Sequence, residues 1–177
     1  AERAVVHALK IEGFIIPVVT TMEIGQSVYS KPDRWRLTIS MRIGTGDDGN
    51  VSVPLYPRSY EYCRRYWPDS GAVAQPLFYS DYDYMHWLIT PTPDQAYNWE
   101  IVYYQQPPLL DENNQTNWLT DFAPNLLLYR ALLEMTPFLK NDERLQVWQQ
   151  LYNSELEAVN TEDISKIVDR AAVRNAK

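Results

Sequence analysis

The chain has few of the residues that most chemistry needs. Among its 177 residues there is one cysteine, Cys63, so no internal disulfide can form. That suits a protein assembled in a reducing cytosol. Under that reading the sequons Asn50-Val51-Ser52 and Asn114-Gln115-Thr116 are chance matches. There are only two histidines, His7 and His86, far apart in sequence. No glycine-rich phosphate loop and no GxSxG elbow are present. No apolar run approaches the ~18 residues of a membrane span, and no signal peptide pattern is visible. The first residue is Ala1, already within a helical pattern, which suggests that further residues precede it.

Basic tracts are also missing. The formal net charge is −7, with −3 over residues 1–110 (nine Lys/Arg against twelve Asp/Glu) and −4 over 111–177 (seven against eleven). A tight electrostatic grip on nucleic acid is not expected from this balance. An acidic surface does suit a channel through which DNA slides, since like charge repels phosphate.

What is present is apolar and aromatic material. Hydrophobic residues make up 45% and aromatic residues 13%, with thirteen tyrosines, which is enough for a real core. A tyrosine buries its ring while keeping its hydroxyl wet, so the excess suits thin sheets and protein interfaces. The segment Asn117–Glu143 is the most apolar, with Leu126, Leu127 and Leu128 consecutive and Leu132, Leu133, Met135, Phe138 and Leu139 following. A surface helix has one apolar stripe. This segment is apolar round most of its circumference, so it is expected to be covered on nearly every side.

Periodicity divides the chain. Val5, Val6 and Leu9 mark a first helix from Glu2 to about Glu12, with Gly13 as its C-terminal cap. Residues 14–21 are β-branched but contain Pro17, which predicts an edge strand. Strict alternation from Arg34 to Ile43, then the turn Gly44–Asn50 and Val51–Leu55, predicts a hairpin. A short helix follows in RSYEYCRRYWPD. Leu77–Tyr79 and Tyr84–Ile89 read as a second hairpin, and Tyr97–Tyr104 as a last strand.

Beyond Pro107 and Pro108 the chain is helical. Pro124 suits a first helical turn, so the main helix is placed over Pro124–Leu139, with a possible kink at Pro137. Asn141 or Asp142 caps a second helix carrying Leu145, Trp148, Tyr152, Leu156 and Val159 on one face. Thr161 caps a short final one. Leu132 and Trp148 are expected in the helical core. The fold class expected is α+β: a helical bundle from residues 1–13 and 111–177, with residues 14–110 inserted as an antiparallel β lobe containing one short helix.

No catalytic set emerges. Asp81, Asp83 and His86 in DYDYMH raise the question of a metal site, but two aspartates in a hairpin turn are explained by local hydrogen bonding, and a metal needs three or four converging ligands. Cys63 lies beside Arg64 and Arg65 with no base paired to it in sequence, so an inert packed cysteine is the simpler reading. No enzyme activity, metal or cofactor is expected.

An ordered set of motifs then carries a resemblance. Pro91 and Pro93 form a P-x-P turn after a strand. A Tyr-rich strand Glu100–Tyr104 follows, then Pro107 to Leu110, then TNWL at Thr116–Leu119. A Leu-Leu-Tyr helix runs from Leu127 to Lys140, ending in FLK, before a helix bearing Trp148 and Tyr152. LYPRSYEYCRRYWP and AERAVVHAL add to the match. From Trp87 to about Leu156 the chain resembles the head–tail adaptor (neck, or head-completion connector) proteins of tailed bacteriophages. The resemblance implies a non-enzymatic virion protein that forms a homo-oligomeric ring, a dodecamer, below the portal. The ring would be assembled in the host cytoplasm and located at the head–tail junction. Tail, nozzle or neck proteins would attach beneath, and DNA would pass the lumen without tight binding.

The final segment 161–177 has a narrow apolar edge, Ile164, Ile167 and Val168, and a basic end with Arg170, Arg174 and Lys177. A helix this short is marginal alone. It would gain order on a partner, and the resemblance implies that the partner is the portal. Two other readings stand beside the adaptor: a tail-completion or stopper protein of the same stack, and a carbohydrate- or host-binding β module on a helical stalk.

Overall fold

The structure is a computed structural model that describes residues 1–9, 11–44, 51–136 and 144–175, with side chains omitted at 51–52 and beyond Thr161. The chain divides into two compact units: Ala1–Phe14 together with Gln106–Lys177, and Ile15–Gln105.

The second unit holds the principal core. Its strands are β1 (Ile15–Thr21), β2 (Val28–Ser30), β3 (Trp35–Gly44), β4 (Val51–Pro57), β5 (Phe78–Asp81), β6 (His86–Thr90) and β7 (Asn98–Gln105), with helix α2 (Tyr60–Tyr66) between β4 and β5. They form one seven-stranded sheet in the order β1-β7-β3-β4-β5-β6-β2. All pairs are antiparallel except β4–β5, which is parallel. Pro17 sits in β1, an edge strand, where a missing N–H breaks no ladder.

The sheet curls on itself. Trp87 on β6 and Trp99 on β7 are four strand steps apart, roughly 19 Å in a flat sheet. Their rings nevertheless meet edge to face at 5.7 Å, and Tyr29 on β2 meets Trp99 at 5.1 Å. The space so enclosed is filled by Met22, Met41, Ile43, Leu55, Ile89 and Ile101 along with these rings.

The expected bundle with an antiparallel β lobe is therefore corrected. The sheet is mixed, it has seven strands, and it carries the main hydrophobic core. The reason is the mass of its aromatic residues. Tyr and Trp bury about 150–250 Å² each, so a few on alternating positions outweigh a longer run of leucines. The parallel pair had a visible cause: a helix lies between β4 and β5, and a crossover rather than a turn is what parallel strands require.

The first unit contains α1 (Glu2–Ala8), a 3-10 turn (Glu12–Phe14), α3 (Trp118–Phe122), α4 (Pro124–Met135) and α5 (Leu145–Asn175). Helices α1, α3 and α5 each pack on α4. Val5, Val6, Leu9, Leu119, Leu126 and Tyr152 are buried.

Several local expectations change here. Helix α1 stops at Ala8, and Gly13 is not its cap. A Cβ on Gly13 would lie 2.6 Å from the Trp118 Nε1, so glycine there admits the indole ring. Helix α5 runs unbroken through Thr161, because no Gly or Pro interrupts residues 144–175 and one β-branched residue costs well under ~1 kcal/mol. Leu132 and Trp148 are only half-buried rather than core residues. On α4 only Leu126 is buried, while Leu128 is 53% exposed. The chain itself thus leaves much of that helix uncovered. The Pro137 kink and the Asn141 or Asp142 cap lie outside the described residues.

The TNWL motif has a structural account. Asn117 is buried and caps α3: its Oδ1 accepts from the Leu119 and Thr120 amides at 3.0 and 3.3 Å, and the Thr120 Oγ1 accepts from the Asn117 amide at 2.8 Å. Its Nδ2 donates to Glu2 Oε1 and to the Pro108 carbonyl. Asn117→Ala removes the cap and leaves these acceptors short of a donor. We expect a loss of about 1–3 kcal/mol, read as a lower denaturant midpoint, with Asn117→Asp recovering only part because its second oxygen faces Glu2.

Candidate functional site

The DYDYMH turn is internally satisfied. Lys31 is buried, and its Nζ donates to Asp81 Oδ1 at 2.6 Å and to the Asp83 carbonyl at 3.0 Å. The ammonium lies 3.7 Å over the Trp35 ring, which offsets part of its desolvation. The Asp83 carboxylate accepts from the Met85 amide at 2.6 Å and meets His86 Nδ1 at 2.9 Å. The His86 hydrogen bond, with help from the Met85 amide, holds the Asp83 carboxyl below its ordinary range. These contacts fasten a hairpin. Among the described residues no group of three or more His, Cys, Asp or Glu is placed to hold a metal ion. Cys63 is buried on α2. No described helix is long and apolar enough to cross a membrane.

The P-x-P turn joins β6 to β7. Thr92 is buried and its Oγ1 donates to the Ser70 carbonyl, while its own carbonyl accepts from the Ala74 amide. The Pro93 carbonyl accepts from Gly25, whose φ of 76° favours glycine. The turn therefore ties three loops of the sheet unit together. Next to it, Tyr97 donates its hydroxyl to Asp94 Oδ1 at 2.7 Å. Burial, then the Asp94 hydrogen bond, pushes the Tyr97 phenol up to about 12 from 10.0. Burial also raises Tyr29, Tyr79 and Tyr103. The fold favours neutral tyrosines, so the stability they contribute is complete below pH 10 and is lost as pH rises towards 12. Melting temperatures should fall across that window, and less steeply for Tyr97→Phe, which has no proton to lose there.

Exposed apolar surface is the remaining feature. In the helical unit Phe122 is 72% and Val147 51% exposed. Between α4 and α5 lies an open groove of about 630 Å³, lined by Leu133 and Leu145 among Arg130, Gln146 and Gln149. In the sheet unit, Tyr60, Tyr62 and Tyr66 of α2 stand exposed beside Arg58 and Arg64. Surfaces of this composition mark protein contacts rather than catalytic sites. Sequence patterning missed the α2 surface, although Tyr at i, i+2 and i+6 with Arg between was readable there.

The candidate docking residues Ile164, Ile167, Val168, Arg170 and Arg174 belong to the helical backbone of α5, and their side chains lie outside the described residues. They are not on a separate short helix.

A protein-family model described as SU10 adaptor protein matches residues 1–175. No curated protein matches the chain.

Proposed function

The chain belongs to the SU10 adaptor protein family, a phage head–tail adaptor family, and from that premise we propose that it forms a ring that binds the lower face of the portal. It is a structural adaptor of the virion that interacts with other head or tail proteins. In the proposed arrangement, twelve copies surround the channel, tail or neck proteins dock beneath, and DNA passes through without being gripped.

The family match over nearly the whole chain carries this reading. The uncovered apolar surface of α4 and α5 supports it, since Leu128 and Val147 would be covered by neighbours. A closed ring uses heterologous contacts, in which one patch meets a different patch on the next copy. The net charge of −7 suits a lumen that repels phosphate. Residues Ile164, Ile167, Val168, Arg170 and Arg174, at the far end of α5, are proposed as the portal contact. Co-purification tests the reading: immobilised portal should retain the full chain at physiological salt. Failure of portal to retain it, with both proteins folded, would remove the portal from the proposal.

A further inference from the structure

The surface around α2 is ordered in advance and has unspent charge. Ser59 caps the helix, its Oγ accepting from the Tyr62 amide at 3.2 Å. The Tyr62 and Tyr66 rings stack at 6.2 Å, and both meet the Phe78 ring edge-on, at 5.5 and 5.1 Å. The Arg58 guanidinium lies 5.5 Å from the Tyr62 and Phe78 ring centres. Arg64 lies 5.4 Å from Tyr60 and 5.9 Å from Tyr82, and its Nε donates to the Tyr60 hydroxyl.

Neither Arg58 nor Arg64 makes an ion pair with a carboxylate among the described residues. That is notable in a chain with 23 acidic residues and 16 basic ones. A guanidinium stacked on a ring keeps its N–H edge for a carboxylate. Because the rings already hold the arginines, little side-chain freedom would be lost on binding. Tyr and Arg set together in this way are typical of interface hot spots.

A fitting complement exists on the same chain. On α3, Phe122 projects into solvent while stacked on Trp118 at 5.6 Å, and the neighbouring Asp121 is exposed without an ion-pair partner among the described residues. We propose that the α2 surface of one copy receives Phe122 and Asp121 of a second copy. Phe122 would seat among the tyrosines, and the Asp121 carboxylate would pair with Arg58 or Arg64. The contact is heterologous, so each copy has a donor and a receiver and can extend in both directions, as a ring requires. This inference rests on the ring reading above and names its interface. Duplex DNA is the less suitable occupant, because the acidic chain as a whole repels phosphate.

Two variants of the full chain test it by sedimentation velocity over a concentration series. One is Arg58→Glu with Arg64→Glu, and the other is Asp121→Ser with Phe122→Ser, which leaves no cation to pair with the introduced glutamates. Arg58, Asp121 and Phe122 are exposed and Arg64 is half-buried, and unchanged circular dichroism and melting verify the fold. The wild type should form species larger than dimers, and each variant alone should remain monomeric. An equal mixture should give dimers and nothing larger, because one receiver and one donor survive between them. Assembly of either variant alone would overturn the inference and leave the adaptor reading standing. A wild type that stays monomeric throughout would also overturn it, while capture by portal separately tests the adaptor. Loss of portal capture with self-assembly intact would assign the surface to the portal instead and likewise overturn it.

Discussion

Trp87→Ala should destabilise the sheet unit by about 3–5 kcal/mol, among the larger losses a single core truncation gives. Trp87 is fully buried on β6 and joins parts of the sheet that the strand order keeps apart. Its ring meets Trp99 of β7 at 5.7 Å and Trp35 of β3 at 6.2 Å, both close to perpendicular. Its Nε1 donates to Thr38 Oγ1 on β3 at 3.1 Å. Alanine would remove the wedge, leave a cavity, and cut the hydrogen bond. Trp87→Phe should cost less, because it keeps an aromatic face and loses only the bond and part of the volume. Denaturant unfolding read by far-UV circular dichroism gives the numbers. A loss below ~1 kcal/mol for Trp87→Ala would mean that the curl of the sheet does not depend on this contact.

Truncation after Asn160 should abolish capture by portal while leaving the fold in place. Tyr152 is the last buried residue of α5 among those whose side chains are described. Ending the chain at Asn160 keeps that contact, the cation–π contact of Arg130 with Tyr152 at 5.8 Å, and the packing of α4 on α5. It removes Ile164, Ile167, Val168, Arg170 and Arg174 together. Since the helix is continuous, the loss is of its final turns, not of a detachable segment. Circular dichroism of the truncated chain, run beside the pull-down, separates the outcomes. Undiminished capture would move the portal contact elsewhere. A chain that unfolds on truncation would show that the end of α5 is part of the core.

Long, strongly periodic stretches were legible. Alternation from Arg34 to Ile43 marked β3, and Pro124 marked the start of α4. Strand β2 was not legible, because three residues between Gly25 and Pro32 are too few to show a period. The stop of α1 at Ala8 and the role of Gly13 were hidden for a related reason. The glycine answers to Trp118, over a hundred residues away, and local patterning has no access to that contact. The balance between units was misjudged because a leucine run is conspicuous in sequence, whereas Trp35, Trp87 and Trp99 become a core only when the sheet curls. For the α2 surface, the arginines and tyrosines were visible, but their stacking required the positions of Phe78 and Tyr82.

A ring seated on the portal is tested most directly by imaging the mixture of this chain with portal by negative-stain electron microscopy. The expected image is a ring of adaptor density coaxial with the portal, with an open channel through both. Portal particles that carry no added ring, at adaptor concentrations where the protein is folded and in excess, would contradict it.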